Sequence, residues 1–243
     1  MFSKITMKFN KIYNIDCLEG LRNLDDGCID LIITSPPYNL GNNHHTGSKQ
    51  TNIRYEDNLA EDIYQDWQTK ILNECFRVLG EKGSLMYQHK NRIKNGIQIS
   101  PYEWIFKTNF IIKQEIVWIN GSQNFDKIRF YPFTERVYWL TKSPDTKLIN
   151  TINKQDVFSR QEWKPVGTNK AHTRAFPERL VYDLISVFPD SKIIMDPFMG
   201  SGTVAYVAQE LGKKFIGFEL DKTFFDLSNE RLKNKSLFSS GCL

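Results

Sequence analysis

A run of apolar residues that ends in two consecutive prolines constrains the fold of this chain more than any other feature of its sequence. Leu31 to Ile33 predicts the end of a buried strand, and Pro36 and Pro37 follow within four residues. Neither proline has an N–H to donate to a neighbouring strand, so the chain must leave the sheet here. The Ser35 hydroxyl, the Pro36 carbonyl and the Tyr38 ring are therefore held on a stiff loop at the carboxyl end of the strand, where open α/β sheets bind ligands.

This loop suits a flat ligand that carries an exocyclic amino group. The ligand ring would stack on Tyr38 while its NH2 donates to the Ser35 hydroxyl and the Pro36 carbonyl. Thr34-Ser-Pro-Pro-Tyr38 resembles the catalytic motif (Asp/Asn/Ser)-Pro-Pro-(Tyr/Phe/Trp) of the DNA amino-methyltransferases, which methylate adenine N6 or cytosine N4 from S-adenosylmethionine. The resemblance implies that Ser35, Pro36, Pro37 and Tyr38 are catalytic. Taken alone, they are also compatible with an ordinary turn after a strand that ends in prolines.

A second motif, near the end of the sequence, predicts a strand that runs into a glycine-rich turn and then a helix. It reads KIIMDPFMGSGT over residues 192–203. Glycines in such a turn let the backbone approach a ligand at the positive end of the helix. The pattern is neither Gly-x-Gly-x-x-Gly nor a P-loop, so a pyrophosphate is a less suitable ligand than a carboxylate and an amine. Asp-Pro-Phe-x-Gly-Ser-Gly-Thr from Asp196, with Phe-Ile-Gly-x-Glu ending at Glu219, closely resembles the cofactor site of the same family.

The resemblance implies which residues bind S-adenosylmethionine. Glu219 ends the strand after the glycine-rich helix, where an acid can bind ribose hydroxyls. In the family an acidic residue after the first strand contacts the adenine; here that residue is Asp16, for which a helix N-cap is the alternative. The segment from His172 to Leu180 resembles a His-x-x-x-Phe-Pro-x-x-Leu pattern that holds the methionine end of the cofactor, and His172 either donates to its carboxylate or caps the turn. The predicted cofactor-binding residues are Asp16, His172, Phe176, Asp196, Phe198, Gly200, Ser201, Gly202, Thr203 and Glu219.

The order of the two motifs bears on the fold. The catalytic motif precedes the cofactor motif, which resembles the permuted, beta-type class of these enzymes. We therefore predict an α/β fold with a doubly wound, mostly parallel, seven-stranded Rossmann-like sheet, the class I S-adenosylmethionine-dependent methyltransferase fold. Two late strands, 110–119 and 135–141, have no crossover helix between them and are predicted to form an antiparallel hairpin. The strands that carry the two motifs are expected side by side, so that Gly200 and Ser35 share one crevice.

Length and composition predict a single domain. The chain has 243 residues, of which 40% are hydrophobic, enough to bury one sizeable core. It has no internal repeats, low-complexity tract or flexible linker. We expect one methyltransferase domain over 1–243, with a catalytic half at 11–119, a hairpin with target-recognition segments at 120–171, and a cofactor-binding half at 172–235.

Three polar, irregular segments are candidates for DNA contact. They cover residues 40–62, 120–134 and 143–171, and the second is also compatible with an ordinary hairpin loop. Amide side chains can bind adenine edges, and basic side chains can bind phosphates. The predicted DNA contacts are Lys49, Arg54, Asn124 and Arg129. The adjacent His44 and His45 have no cysteine or carboxylate at ligand spacing, so we predict no metal site.

Charge, cysteine usage and hydropathy indicate where such a protein would act. The net charge of +4 is mildly basic and permits a phosphate-binding face. The four cysteines show no CxxC spacing, as in proteins of a reducing compartment. No apolar run approaches the roughly 20 residues needed to span a bilayer, and the amino-terminal residues lack the features of a secretory signal. We expect a cytoplasmic protein without membrane contact.

The predicted function is site-specific methylation of the exocyclic amino group of a base flipped out of double-stranded DNA. Thr-Ser-Pro-Pro-Tyr favours cytosine N4, because adenine-N6 enzymes more often have Asp or Asn at the position of Ser35. Adenine N6 is the main alternative. A non-catalytic subunit that binds cofactor or DNA, and a different methyl acceptor such as RNA or a protein amide, also stay open. A homodimer and a restriction endonuclease that shares the target site are possible partners.

Overall fold

The computed structural model describes residues 6–41, 57–120, 128–130, 133–150, 155–159, 161–163 and 176–233. Four predicted site residues lie outside these ranges: Lys49, Arg54, Asn124 and His172. Most of the 40–62 segment and much of the 143–171 segment lie outside them as well.

Strands and helices alternate along most of the described chain. The strands are β1 (Lys11–Tyr13), β2 (Ile29–Thr34), β3 (Leu79–His89), β4 (Arg92–Lys94), β5 (Ile97–Ile99), β6 (Ile111–Trp118), β7 (Glu135–Thr141), β8 (Val157–Phe158), β9 (Ile193–Asp196) and β10 (Lys214–Phe218). The helices are α1 (Cys17–Arg22), α2 (Glu61–Val78), α3 (Tyr102–Ile105), α4 (Glu178–Ser186), α5 (Thr203–Glu210) and α6 (Lys222–Lys233). None of these helices is long and apolar enough to cross a membrane.

Eight of the strands form one sheet in the order β1-β10-β9-β2-β3-β7-β6-β8. Neighbours run parallel except where β7 pairs with β3 and with β6, so β7 is the antiparallel strand. This confirms the predicted mostly parallel sheet and the antiparallel hairpin of β6 and β7. The sheet has one strand more than the seven predicted, because the short strand Val157–Phe158 pairs with the end of β6 at the edge.

The two remaining strands, β4 and β5, form a separate hairpin directly after β3. Its turn residues, Asn95 and Gly96, have φ angles of 52° and 79°. Two consecutive positive φ angles are typical of the tight two-residue turns that Asn-Gly favours. Arg129 donates to the Gly96 carbonyl at 3.4 Å, which places this predicted DNA contact beside the hairpin.

Helices cover both faces of the large sheet. Side chains of α1, α2 and α3 pack on one face, and those of α4, α5 and α6 pack on the other. In β2, Leu31 and Ile33 face the second group, whereas Ile32 faces the first, and all three are fully buried. A strand that is buried on both sides reads as a continuous apolar run, which explains the sequence that precedes Pro36.

The strands of the two motifs, β2 and β9, are direct neighbours. Leu31 pairs with Ile194 and Ile32 pairs with Met195, as predicted. The chain continues from β2 to β3 on one side and from β9 to β10 on the other, so the strand order reverses between β2 and β9. Such a reversal opens a crevice at the carboxyl ends of the strands. Both motifs therefore lie at one edge of the sheet.

Candidate active site

The loop after β2 places its first and last side chains in contact with each other. The Ser35 Oγ and Tyr38 Oη atoms lie 2.9 Å apart, and the Tyr38 hydroxyl donates to Glu135 Oε2 at 3.3 Å. Pro36 is buried, whereas Ser35 and Tyr38 are partly exposed. The two polar side chains of the predicted catalytic motif are thus linked to a carboxylate on β7.

Glu135 is held from several sides. The Gln88 amide donates to Oε2, and the Asn120 amide donates to Oε1 at 2.8 Å. Burial raises the pKa of Glu135 above its ordinary value, although Lys90 and the hydrogen bonds oppose this. Burial, and then the nearby Glu135, raise the pKa of Tyr38 well above its ordinary value. The Tyr38 hydroxyl therefore stays protonated and acts as a donor to Glu135.

An uncharged histidine supports the Tyr38 ring. The rings of Tyr38 and His89 have centroids 4.5 Å apart at an interplanar angle of 42°. Burial lowers the pKa of His89 to about 3, so the imidazole is neutral at physiological pH. Its Nδ1 accepts from the Lys90 N–H at 2.9 Å, and its Nε2 lies 2.7 Å from the Tyr64 hydroxyl. We assign the imidazole proton to Nε2, because the Tyr64 hydroxyl then accepts from the imidazole and keeps its own proton for the Pro37 carbonyl; Nδ1 also lies 2.8 Å from the Lys90 carbonyl oxygen.

Beneath the loop, a chain of buried hydrogen bonds runs from α3 to the second proline. Trp104 Nε1 donates to Tyr87 at 3.0 Å, and the Tyr87 hydroxyl donates to Gln68 Oε1 at 2.9 Å. Gln68 Nε2 donates to the Tyr64 hydroxyl at 2.9 Å, and this hydroxyl donates to the Pro37 carbonyl at 2.7 Å. The four side chains are at most 1% exposed. The network fixes the loop backbone from inside the protein.

Removing the Tyr64 hydroxyl should therefore loosen the loop. In Tyr64→Phe, the Pro37 carbonyl, Gln68 and His89 each lose a partner in a buried setting. We expect the free energy of unfolding to fall by about 1–3 kcal/mol, the cost of buried polar groups left unsatisfied. Urea denaturation of the variant and of Tyr182→Phe, which removes a hydroxyl on α4 away from this network, measures the effect. Equal stability of the two variants would contradict it.

The glycine-rich turn between β9 and α5 depends on two positive φ angles. Gly200 and Gly202 have φ angles of 52° and 80°. A Cβ at Gly202 would come within 2.8 Å of the Ser228 Cβ on α6. Glu219 closes the turn, because its Oε2 accepts from the Gly200 N–H at 2.7 Å and its Oε1 accepts from the Asp221 N–H at 2.8 Å. Burial raises the pKa of Glu219.

A direct hydrogen bond joins the two motifs. The Thr34 hydroxyl donates to Asp196 Oδ1 at 2.7 Å, and the same oxygen accepts from the Phe198 N–H at 2.9 Å. Thr34 immediately precedes Ser35, and Asp196 begins the Asp-Pro-Phe segment. Burial raises the pKa of Asp196 to about 7. The two segments, which lie far apart in the sequence, therefore form one site.

The structure also places most of the other predicted cofactor residues at this edge. Asp16 follows β1, whose neighbour in the sheet is β10, and its Oδ1 accepts from the Leu18 N–H at 2.8 Å and the Glu19 N–H at 3.2 Å. The N-cap alternative for Asp16 is thus observed, which leaves its second carboxylate oxygen for a ligand. The Phe198 ring meets the edge of Trp67 on α2, with centroids 5.7 Å apart.

Helix α6 contributes an arginine that the sequence analysis did not identify. Arg231 Nη1 donates to the Thr203 hydroxyl at 3.0 Å and to the Ser201 carbonyl at 3.4 Å, and its other nitrogen pairs with Glu178 on α4. Arg231 therefore supports the glycine-rich turn from the α6 side. Phe176, the first residue of the described range 176–233, is partly buried and packs on the face of the sheet that α4, α5 and α6 cover.

Other supporting residues were also missed, although some left a signal. Tyr64 and Gln68 lie one turn apart on the apolar face of α2, where a glutamine predicts a buried polar contact. Glu135 starts a strand whose last five residues are buried. Its partners come from distant parts of the chain, so no local pattern identifies them. Within the described residues, no group of three or more histidine, cysteine or acidic side chains could hold a metal ion.

Comparison with known proteins gives consistent sequence matches. The model of a family described as DNA methylase, N6_N4_Mtase, matches residues 29–230. The type II methyltransferase M.BglII from Bacillus subtilis is 27% identical over 93% of this chain and 69% of its own length. The type II methyltransferase M.HpaI from Haemophilus parainfluenzae is 29% identical over 90% of this chain and 73% of its own length.

Solved structures share the fold. The PvuII DNA methyltransferase (cytosine-N4-specific) superposes with a TM-score of 0.73 at 23% identity, over 97% of this chain and 89% of that one. A putative DNA modification methylase from Thermus thermophilus, complexed with S-adenosyl-L-methionine, has a TM-score of 0.65 at 20% identity, over 91% of this chain and 92% of that one. At these identities the similarity concerns the fold.

Proposed function

This chain belongs to the N6/N4 DNA methylase family, whose model covers most of its length, and from that premise we propose how its site works. The protein is a DNA methyltransferase specific for amino groups. Its methyl donor is S-adenosylmethionine, and its methyl acceptor is the exocyclic amino group of a base flipped out of double-stranded DNA. The favoured acceptor is cytosine N4.

One observation carries the proposal: the 2.7 Å hydrogen bond between Thr34 and Asp196 across the paired strands β2 and β9. It joins the segment proposed to bind the amino group to the segment proposed to bind the methyl donor. A direct transfer requires reacting atoms about 3–3.5 Å apart in the productive complex. Segments on adjacent strands can meet this requirement without a domain rearrangement.

The residues at the glycine-rich turn fit S-adenosylmethionine. The amino terminus of α5 offers N–H groups and a positive dipole to the carboxylate of the methionine end. Each Glu219 oxygen accepts one backbone N–H, and a carboxylate oxygen has a second lone pair for a ribose hydroxyl. The second oxygen of Asp16 would contact the adenine. When bound, S-adenosylmethionine supplies a methyl group on a positively charged sulfur.

The loop after β2 would bind the base. A base must leave the duplex to reach this edge, at a cost of a few kcal/mol that stacking and hydrogen bonding offset. Tyr38 would stack on the base ring, while the Ser35 hydroxyl and the Pro36 carbonyl accept from its NH2. These acceptors also face the positive charge that develops on the nitrogen, so they stabilise the transition state more than the ground state.

The choice of cytosine N4 over adenine N6 rests on the serine in the motif. The name of the PvuII enzyme, which shares the fold, states cytosine-N4 specificity and supports this choice. The test is to incubate the purified protein with DNA and labelled S-adenosylmethionine and to separate the nucleosides after digestion. We expect N4-methylcytosine, and N6-methyladenine would overturn the choice. RNA and protein acceptors added in competition would reveal a different substrate.

The remaining parts of the proposal concern recognition and partners. We assign target recognition to residues 120–171 together with the 40–62 segment, with Arg129 beside the β4–β5 hairpin as a described candidate contact. The relatives are type II methyltransferases, which supports a cognate endonuclease of the same site specificity. Sequencing of methylated genomic DNA from cells that express the protein would identify the site.

Sedimentation of the purified protein would test the proposed homodimer, and cell fractionation would test the proposed cytoplasmic location.

A further inference from the structure

The hydrogen bonds that join Ser35, Tyr38 and Glu135 are suited to a second task besides binding an amino group. We propose that Glu135 receives the proton that leaves the methylated amino group, and that Ser35 and Tyr38 transmit it. The inference rests on the proposed function, since it requires that the amino group of the flipped base donates to Ser35. In this arrangement Glu135 acts through Tyr38 and does not itself contact the base.

The donor and acceptor pattern gives the chain of hydrogen bonds a single direction. An ionised carboxylate only accepts, so the Tyr38 hydroxyl must donate to Glu135 across the 3.3 Å contact. Tyr38 Oη then accepts from Ser35 across the 2.9 Å contact. With its proton directed at Tyr38, the Ser35 oxygen presents only lone pairs to a ligand. The buried carboxylate thus makes a serine, which could donate or accept, into an acceptor for an NH2 group.

A proton must leave for the reaction to be complete. As the new bond forms between the amino nitrogen and the methyl carbon, the electron pair of the broken carbon–sulfur bond stays on sulfur, and the nitrogen becomes positively charged. As this charge develops, the nitrogen loses one proton to Ser35 Oγ, the Ser35 proton passes to Tyr38 Oη, and the Tyr38 proton passes to Glu135, so proton acceptance is part of the methyl-transfer step. The products are a neutral methylated base, a neutral thioether and a protonated Glu135, which releases its proton to solvent.

Other nearby groups are less suited to receive this proton. The His89 imidazole contacts the Tyr38 ring, but its nitrogens are engaged with Tyr64 and Lys90. Asp196 accepts from Thr34 and from the Phe198 N–H, on the cofactor side of the loop. Glu135 is the carboxylate that the described structure links to the Ser35 hydroxyl through Tyr38.

The test compares Tyr38→Phe, Glu135→Gln and the double variant in single-turnover methylation of duplex DNA with labelled S-adenosylmethionine. Each single change should slow methyl transfer by about 10²-fold, the low end of a general-base effect. If the two residues act in one chain, the double variant should be no slower than the slower single variant. Tyr38→Phe keeps the aromatic ring, so stacking on the base is retained.

The pH profile separates proton acceptance from a structural role. Glu135 must be ionised to accept, so the wild-type rate should fall as the pH drops through the pKa of Glu135, and this fall should be absent from both variants. Among the described residues, the titratable and charged groups that face Glu135 are Tyr38 on the loop and Lys90 after β3. Burial also raises the pKa of Asp196 to about 7, so the titration of Asp196 contributes to the profile of every variant. Only the part of the profile that the variants lose is therefore assigned to Glu135.

A matched pair of variants controls for the loss of a tyrosine–glutamate contact as such. Tyr102 on α3 donates to Glu115 on β6 at 2.8 Å, the same kind of hydrogen bond on the same sheet. Tyr102→Phe and Glu115→Gln should keep the wild-type rate and pH profile. Calorimetric titration with S-adenosylmethionine should give wild-type affinity for all variants, which shows that the cofactor site is intact.

Several outcomes would overturn the inference. A wild-type rate and profile in Tyr38→Phe or in Glu135→Gln would do so, as would a double variant whose loss is the product of the two single losses. If Glu135→Gln fails to fold, Tyr38→Phe decides alone. Ser35→Ala separates a failure of this inference from a failure of the proposed function. If Ser35→Ala is inactive while Glu135→Gln is normal, the inference fails and the proposed function stands. If Ser35→Ala is fully active, the proposed function fails as well.

Discussion

Ser35→Ala should lower the rate of methyl transfer by about 10²–10³-fold, the typical loss when one group that stabilises transition-state charge is removed. The substitution deletes the acceptor of the amino protons and, in the structure, the 2.9 Å contact with Tyr38. It leaves the glycine-rich turn untouched, so the affinity for S-adenosylmethionine should be unchanged. Single-turnover assays measure the first quantity and isothermal titration calorimetry measures the second.

A serine at the opposite end of the sheet provides the control. Ser143 follows β7, which runs antiparallel to β3 and therefore ends away from the active-site edge. Its hydroxyl accepts from the Asp145 N–H at 3.1 Å, a local hydrogen bond about as long as the contact between Ser35 and Tyr38. Ser143→Ala should retain full activity. If Ser35→Ala and Ser143→Ala methylate DNA equally fast, the assignment of the loop after β2 to catalysis is wrong.

Glu219→Ala should weaken the binding of S-adenosylmethionine by roughly 10²-fold. The carboxylate accepts the Gly200 and Asp221 N–H groups at 2.7 and 2.8 Å, and the proposed function adds ribose hydroxyls to these partners. Hydrogen bonds to a charged group contribute about 1.5–3 kcal/mol each, so the loss of one or two accounts for the expected change. Calorimetric titration with the cofactor, in the absence of DNA, measures it.

The control for this variant is Glu230→Ala, because Glu230 is exposed on α6. Its removal should leave the cofactor affinity at the wild-type value. Thermal unfolding without ligand shows whether Glu219→Ala acts through the fold, since the turn also loses its closing contact. A Glu219→Ala protein that binds S-adenosylmethionine as tightly as the wild type would remove Glu219 from the cofactor site.

Local sequence patterns were sufficient to predict the elements that carry the site. The apolar run before Pro36 and the strand–glycine–helix pattern after Asp196 each specify a conformation through short-range chemistry, and both have the predicted form. A cap of the last helix is equally local, because Asp221, directly before α6, accepts from the Thr223 N–H at 2.8 Å. The adjacency of β2 and β9 followed from the topology of doubly wound sheets.

Features that depend on distant partners were not predictable in this way. The edge strand Val157–Phe158 has two residues, too few for a periodic pattern, and exists because β6 offers it hydrogen bonds. Glu135 has the sequence context of any charged residue at a strand end, and its role comes from Tyr38, which is 97 residues earlier. The β4–β5 hairpin is a different case, since Asn95-Gly96 is a local signal that the sequence analysis overlooked.

The strands β2 and β9 are tied together at both ends, by the Thr34–Asp196 bond and by Asp30, whose Oδ2 accepts from the Lys192 and Ile193 N–H groups at 2.8 and 2.9 Å. The gap between the two halves of the proposed catalytic centre is therefore fixed by the lateral spacing of one β-ladder, about 4.8 Å. Fluctuations of either half are shared by the other, so thermal motion changes their separation little. Alignment of the reacting groups is then limited by entry of the flipped nucleotide. A substrate whose target base is already unpaired should therefore show a shorter lag before methyl transfer.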